Sequence, residues 1–166
     1  MSDAMATTMI PTTPAWRRLY SGVRVRLERV PFSLIQFAMR IAIGFVFFNA
    51  GLLKARSFDF AVKLFEQEYR LPLLAPELAA RLAMICELSL PVLLFVGLGT
   101  RLATLPLIAM TLVIVTLVYP ASWVESLLWG SVLVTLLTRG PGVISIDHFI
   151  EQWLARRERS GSARPK

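Results

Sequence analysis

Four stretches of this chain, about Phe32–Leu53, Glu77–Val96, Arg101–Tyr119 and Ala121–Thr138, are apolar over most of their length. An α-helix rises ~1.5 Å per residue, so each is near the ~20 residues that a ~30 Å hydrocarbon layer demands. Most charged residues are gathered outside them: before Leu34, between Lys54 and Arg81, and after Thr138. A bilayer imposes that segregation, because a charge left among lipid chains costs roughly 2.5 to 3.5 kcal/mol. With 55% hydrophobic and only 17% charged residues in 166, a soluble domain of this length has no core large enough to hide its apolar side chains. The pattern predicts an all-α membrane protein, a four-transmembrane-helix bundle with amphipathic interfacial helices at both termini and in the first loop.

The flanks divide the chain into three parts. Residues 1–31 begin with a segment rich in Thr, Ala, Met and Pro, which reads as disordered over residues 1–15. From Trp16 to Arg29, Arg17, Arg18, Arg24, Arg26 and Arg29 alternate with Trp16, Leu19, Val23 and Leu27, the pattern of a basic amphipathic helix on anionic lipid. Residues 32–142 hold the four spans. Lys54 and Arg56 follow the first span where a signal peptide would carry a small-residue cleavage site, so this span is expected to be retained. Ser57–Tyr69 has helical spacing of Phe58, Ala61, Val62, Phe65 and Tyr69 and reads as a short interfacial helix. Gly140-Pro141-Gly142 stops the fourth span, and in residues 143–166 Ser145 or Asp147 is the expected cap of a last amphipathic helix with a basic tail.

Lys and Arg are retained on the cytoplasmic side of short loops. There are 5 in the N-terminal flank, 1 in the Gly97–Arg101 turn and 6 from Arg139 onward, against 4 in the Lys54–Arg70 loop and none at Pro120. Both termini are therefore expected in the cytoplasm. The same asymmetry accounts for the net charge of +7 without invoking nucleic acid. Cys86 and His148 are each the only residue of their type, which excludes an internal disulfide and a His/Cys metal cluster; no metal site is expected.

Ionisable residues inside the spans need partners or a wet cavity. Counting residues from the helix ends puts Arg40 and Glu87 at similar depth, ~12 and ~14 Å from the cytoplasmic side. They form a candidate pair, with Arg40 suited to hold an anionic or carbonyl group and Glu87 to relay protons, or else a structural ion pair fixing helix register. Asn49, Lys54, Arg81 and Glu125 fall nearer the opposite surface and are candidates for a second, outward-opening polar cluster, against the simpler reading that Lys54 and Arg81 snorkel to the interface. Arg40, Gly44, Phe47, Gly51 and Lys54 share one stripe of the first span, whose glycines admit a neighbouring backbone. Pro91 leaves the carbonyl of Glu87 without its helical donor and predicts a kink.

The pattern Arg40-x3-Gly44-Phe45-x-Phe47-x3-Gly51-x2-Lys54, then Glu87 and Gly97-Leu98-Gly99-Thr100-Arg101, then Gly140-Pro141-Gly142-x2-Ser145-x-Asp147, resembles the DoxX family of small bacterial inner-membrane proteins over about Phe32–Phe149. The resemblance implies a four-helix membrane fold and recurring polar positions at Arg40, Lys54, Glu87, Arg101 and Asp147. It also implies association with quinone-linked oxidoreductases or with membrane complexes that handle thiol and oxidative stress. The expectation is thus the membrane subunit of a quinone-linked oxidoreductase system, with quinone as the candidate cofactor and Arg40, Asn49, Lys54, Arg81, Glu87 and Glu125 as candidate ligand-binding residues. The alternative is a non-enzymatic scaffold or assembly partner that recruits a soluble protein subunit; a small-solute transporter, for which a homo-oligomer would supply the repeat, ranks third.

Overall fold

The structure, a computed structural model, describes residues 15–72 and 74–162. The disorder expected at the N-terminus falls on residues outside this range, except for Ala15, which already belongs to the first helix. The chain divides into two compact units, residues 1–31 and 32–166. In the first, α1 (Ala15–Glu28) is the expected basic amphipathic helix: Arg24 pairs with Glu28 one turn on at 2.7 Å, while Trp16, Leu19, Val23 and Leu27 are exposed.

The second unit is the bundle. It comprises α2 (Phe32–Arg56), a short α3 (Phe58–Leu64) extended by a π turn (Phe65–Tyr69), α4 (Pro76–Val96), α5 (Thr100–Val113) extended by a second π turn (Ile114–Val118), a 3-10 turn (Pro120–Ser122), α6 (Trp123–Arg139) and α7 (Ile146–Ser162). Among the described residues there is no strand. The four long helices, taking α5 with its π turn and α6 with the preceding 3-10 turn, match the four expected spans in order and length. They close into a ring in which α2 packs on α4, α4 on α5, α5 on α6 and α6 back on α2. Ile43, Phe47, Leu94, Ala103, Leu107, Leu133 and Leu136 fill its centre, with Trp129 set against Phe47.

What surrounds this ring follows from burial. The spans have mean hydropathies of 1.3 to 2.1, yet only 17 to 28% of each is buried inside the protein. Large apolar side chains such as Phe45, Leu112, Leu127 and Leu128 point outward. Water as the solvent would leave most of this apolar surface unburied, whereas lipid makes an apolar exterior the stable one. The protein is a multi-pass membrane protein.

The tightest helix pair is α2 with α4, and the two stripe glycines make it so. A Cβ at Gly51 would lie 2.8 Å from the Glu87 Cβ and 2.9 Å from its carbonyl carbon, and one at Gly44 would strike the Phe95 ring. Such close backbone approach is how membrane helices gain packing energy when burial from water contributes nothing. α4 runs through Pro91 as one helix and ends at Gly97, whose φ of 69° closes it with the Leu98 amide bonded to the Leu93 carbonyl at 3.0 Å.

Candidate functional site

The glycine contacts define the register of α2 against α4: Gly44 faces Phe95, Gly51 faces Glu87, and Arg40 reaches Gly97. α2 therefore overshoots the end of α4 by about three turns, and equal residue counts from the helix ends are not equal depths. Arg40 and Glu87 are not partners. Ten residues of α4 separate Glu87 from Gly97, roughly 15 Å along the axis.

Glu87 is paired instead with Lys54. The Lys54 ammonium lies 2.7 Å from Oε2 and 2.9 Å from Oε1 of Glu87, with side-chain exposures of only 12% and 5%. Lys54 stands one turn beyond Gly51 on the same stripe, so the close approach at Gly51 is what delivers its side chain to the carboxylate. The pair is clamped against a cavity of about 210 Å³ between α4, α5 and the first loop. Leu82, Ala83 and Cys86 of α4, Met110 and Val113 of α5, and Phe65 and Tyr69 of the loop line it, and among the described residues Glu87 is the one charged residue in its wall.

Both π turns border this cavity, one through Phe65 and Tyr69 and the other through Ile114. A π turn widens the helix by one residue, and such bulges recur at functional sites. The Tyr69 ring stacks on Phe65 with centroids 4.3 Å apart. Burial, reinforced by neighbouring Tyr119, Glu87 and Glu68, pushes the Tyr69 phenol up to about 12, so it stays a protonated hydrogen-bond donor. Outside it, the Tyr119 hydroxyl donates to the Glu68 carboxylate and fastens the loop to the α5–α6 turn. That hydrogen bond, then burial and the Glu68 charge, raises the Tyr119 phenol as well.

The second outward cluster does not assemble around Lys54. Arg81 pairs with Glu77 on its own helix at 2.9 Å, in the open, and lies 5.5 Å from the Phe58 ring centre. Asn49 and Glu125 are exposed on α2 and α6, apart from the cavity.

Arg40 belongs to a junction at the other end of the bundle. It is fully buried; its Nη2 donates to the Ile144 carbonyl, and its Nε and Nη1 have no hydrogen-bond partner among the described residues. Gly97 makes room for it, since a Cβ there would collide with Arg40 Nη1 and come within 2.6 Å of the Ser145 Cβ. Gln36, one turn earlier, donates to the carbonyls of Gly140 at 2.9 Å and Arg139 at 3.3 Å. Asp147 accepts from the amides of Gly99 at 2.8 Å and Thr100 at 3.1 Å, capping α5 rather than its own helix. Ser145 caps α7: its hydroxyl accepts from the His148 amide at 3.2 Å and donates to the Gly142 carbonyl at 2.6 Å. The glycines, Ser145 and Asp147 thus act as a single knot joining four helix ends.

Together, four lipid-facing helices and a buried ion pair beside an apolar cavity define an integral membrane protein with an intramembrane polar site. The DoxX family model matches residues 35–120, about half the chain, and takes in Arg40, Lys54, Glu87 and Arg101. The chain belongs to the DoxX family. No curated protein and no solved structure matches it.

Proposed function

We propose that this DoxX protein holds a quinone-type carrier in the cavity beside Glu87, as the membrane subunit of an oxidoreductase system in a bacterial inner membrane with both termini cytoplasmic. The observation that carries the reading is the cavity itself: apolar walls that hold the ion-paired Glu87 carboxylate and the protonated Tyr69 phenol. At about 210 Å³ it is smaller than the ~300 Å³ and upward typical of sites enclosing a whole drug-sized ligand. It suits a single substituted ring whose chain leaves between Leu74 and Leu82, both exposed.

A quinone supplies reversible two-electron, two-proton redox chemistry when bound. The chain's own part is to bind and to move protons. In this reading Tyr69 donates to a carbonyl oxygen, and Glu87 takes up or releases a proton while Lys54 holds its charge in place. Arg40, about 15 Å away, takes no part in that exchange and serves the junction.

The test is labelling of the purified protein by a photoreactive ubiquinone analogue. Labelled peptides from residues 65–87 or 109–114, suppressed by excess quinone and by Ala83→Phe, are the expected result. Labelling spread evenly over the lipid-facing surface, indifferent to both, refutes the reading. A second reading, a scaffold that recruits a soluble protein, is favoured by the exposed apolar face of α7, where Phe149 is open and Trp153 is covered on one side by the Arg157 guanidinium. It predicts that deleting residues 151–166 abolishes co-purification of a partner while quinone labelling persists.

A further inference from the structure

The knot of glycines borders a second cavity, of about 480 Å³, at the end of the bundle where α2 and α5 begin and α6 ends. We infer that this cleft binds the phosphate headgroup of an anionic phospholipid. Two guanidinium groups line it, Arg101 from the first turn of α5 and Arg139 from the last turn of α6. Neither forms an ion pair with a described carboxylate.

Arg101 is exposed and packs against the glycine turn that ends α6. Its guanidinium lies over Gly140, where a Cβ would be 3.4 Å from both Nε and Nη2, and Gly140 has a φ of 78° that only glycine adopts without strain. Of the two acids among the described residues that line the cleft, Asp147 has both carboxylate oxygens engaged by the Gly99 and Thr100 amides, so its charge is matched to the start of α5. Glu151 is the other, on the exposed rim.

A soluble phosphate and a lipid headgroup offer the same oxygens to two arginine forks. The rim favours the lipid. Phe32, Leu102 and Val143 line the cleft and are exposed, Leu102 to 74%. A cationic floor under an apolar lip, at the level where the helices leave the hydrocarbon layer, complements a molecule that is charged at one end and apolar at the other. Basic pockets between helix ends bind acidic lipid headgroups in this way, each arginine adding about fivefold to affinity.

The experiment uses the full chain in a non-ionic detergent, with binding read by native mass spectrometry and by thermal shift. The probes are short-chain phosphatidylglycerol, phosphatidylcholine of the same chain length, and inorganic phosphate. The expected result is saturable binding of phosphatidylglycerol over phosphatidylcholine, weakened about fivefold by Arg101→Gln or Arg139→Gln and about 25-fold by both, following the same increment per charge. Glu151→Gln should bind equally or more tightly. Both arginine side chains are exposed, so helix content and elution volume should stay unchanged, and the single variants test the idea even if the double one misfolds. Equal binding of the two lipids, or full phosphatidylglycerol binding by the double variant, overturns the site. Inorganic phosphate competing as strongly as phosphatidylglycerol overturns the lipid assignment.

Discussion

Removing one member of the Lys54–Glu87 pair strands the other, and the two losses should be unequal. In Lys54→Met, Glu87 keeps its place 5% exposed against an apolar cavity with no cation to answer it. Breaking a buried pair from one side typically costs about 3 to 5 kcal/mol. In Glu87→Gln, the widowed Lys54 sits two residues from the end of α2 and its long side chain can turn to the interface, so about 1 to 2 kcal/mol is expected. The double variant Lys54→Met/Glu87→Gln removes both charges and should lie within about 2 kcal/mol of wild type, because the cost of burying the two ions roughly cancels their attraction. The cycle therefore gives a coupling of about 2 kcal/mol or more. The assay is reversible unfolding in mixed detergent–SDS micelles followed by far-UV circular dichroism. Equal, small losses in the two single variants, or a double variant that simply adds them, would show that the pair is not held as described.

Gly97→Ala should be among the most damaging single-methyl changes in the chain. It adds a Cβ that meets Arg40 and Ser145 at a φ of 69°, and about 2 to 4 kcal/mol of destabilisation, measured in the same micelle assay, is expected from backbone strain plus overpacking. The raised phenol of Tyr69 gives a pH signature. The folded value of about 12 lies above the ordinary 10, so the neutral phenol's contribution to stability is complete below pH 10 and is lost as pH rises through 12. Titration of tyrosinate absorbance near 295 nm should show a component at about 12 in the folded protein that disappears in Tyr69→Phe. Its persistence in that variant would remove Tyr69 from the cavity wall.

The spans were legible because each rests on a local property, a run of apolar residues long enough to cross lipid, that no tertiary contact needs to complete. The packing stripe was legible too: Arg40, Gly44, Phe47 and Gly51 are buried on one side of α2. Axial register was not. The partner of Glu87 depends on how far α2 slides along α4, and that is decided by where Gly44 and Gly51 find Phe95 and Glu87, a matter of two surfaces at once. The exchange of capping duties has the same origin, since Asp147 reaches α5 across the fold while Ser145 serves α7 locally. Gln36 and Tyr69 carried no mark of their roles, and the cavity depends on two π turns that the periodicity of apolar residues does not announce.

The Arg40 guanidinium, embedded in the first span, finds its hydrogen-bond acceptor in the carbonyl of Ile144, a residue that follows the last. A ribosome feeding the chain into the membrane delivers the donor long before the acceptor exists. The opening helix must therefore wait, its cation provisionally hydrated or borrowed by lipid phosphate, until the stretch after α6 has emerged. Closure of this junction is thus deferred to the end of synthesis.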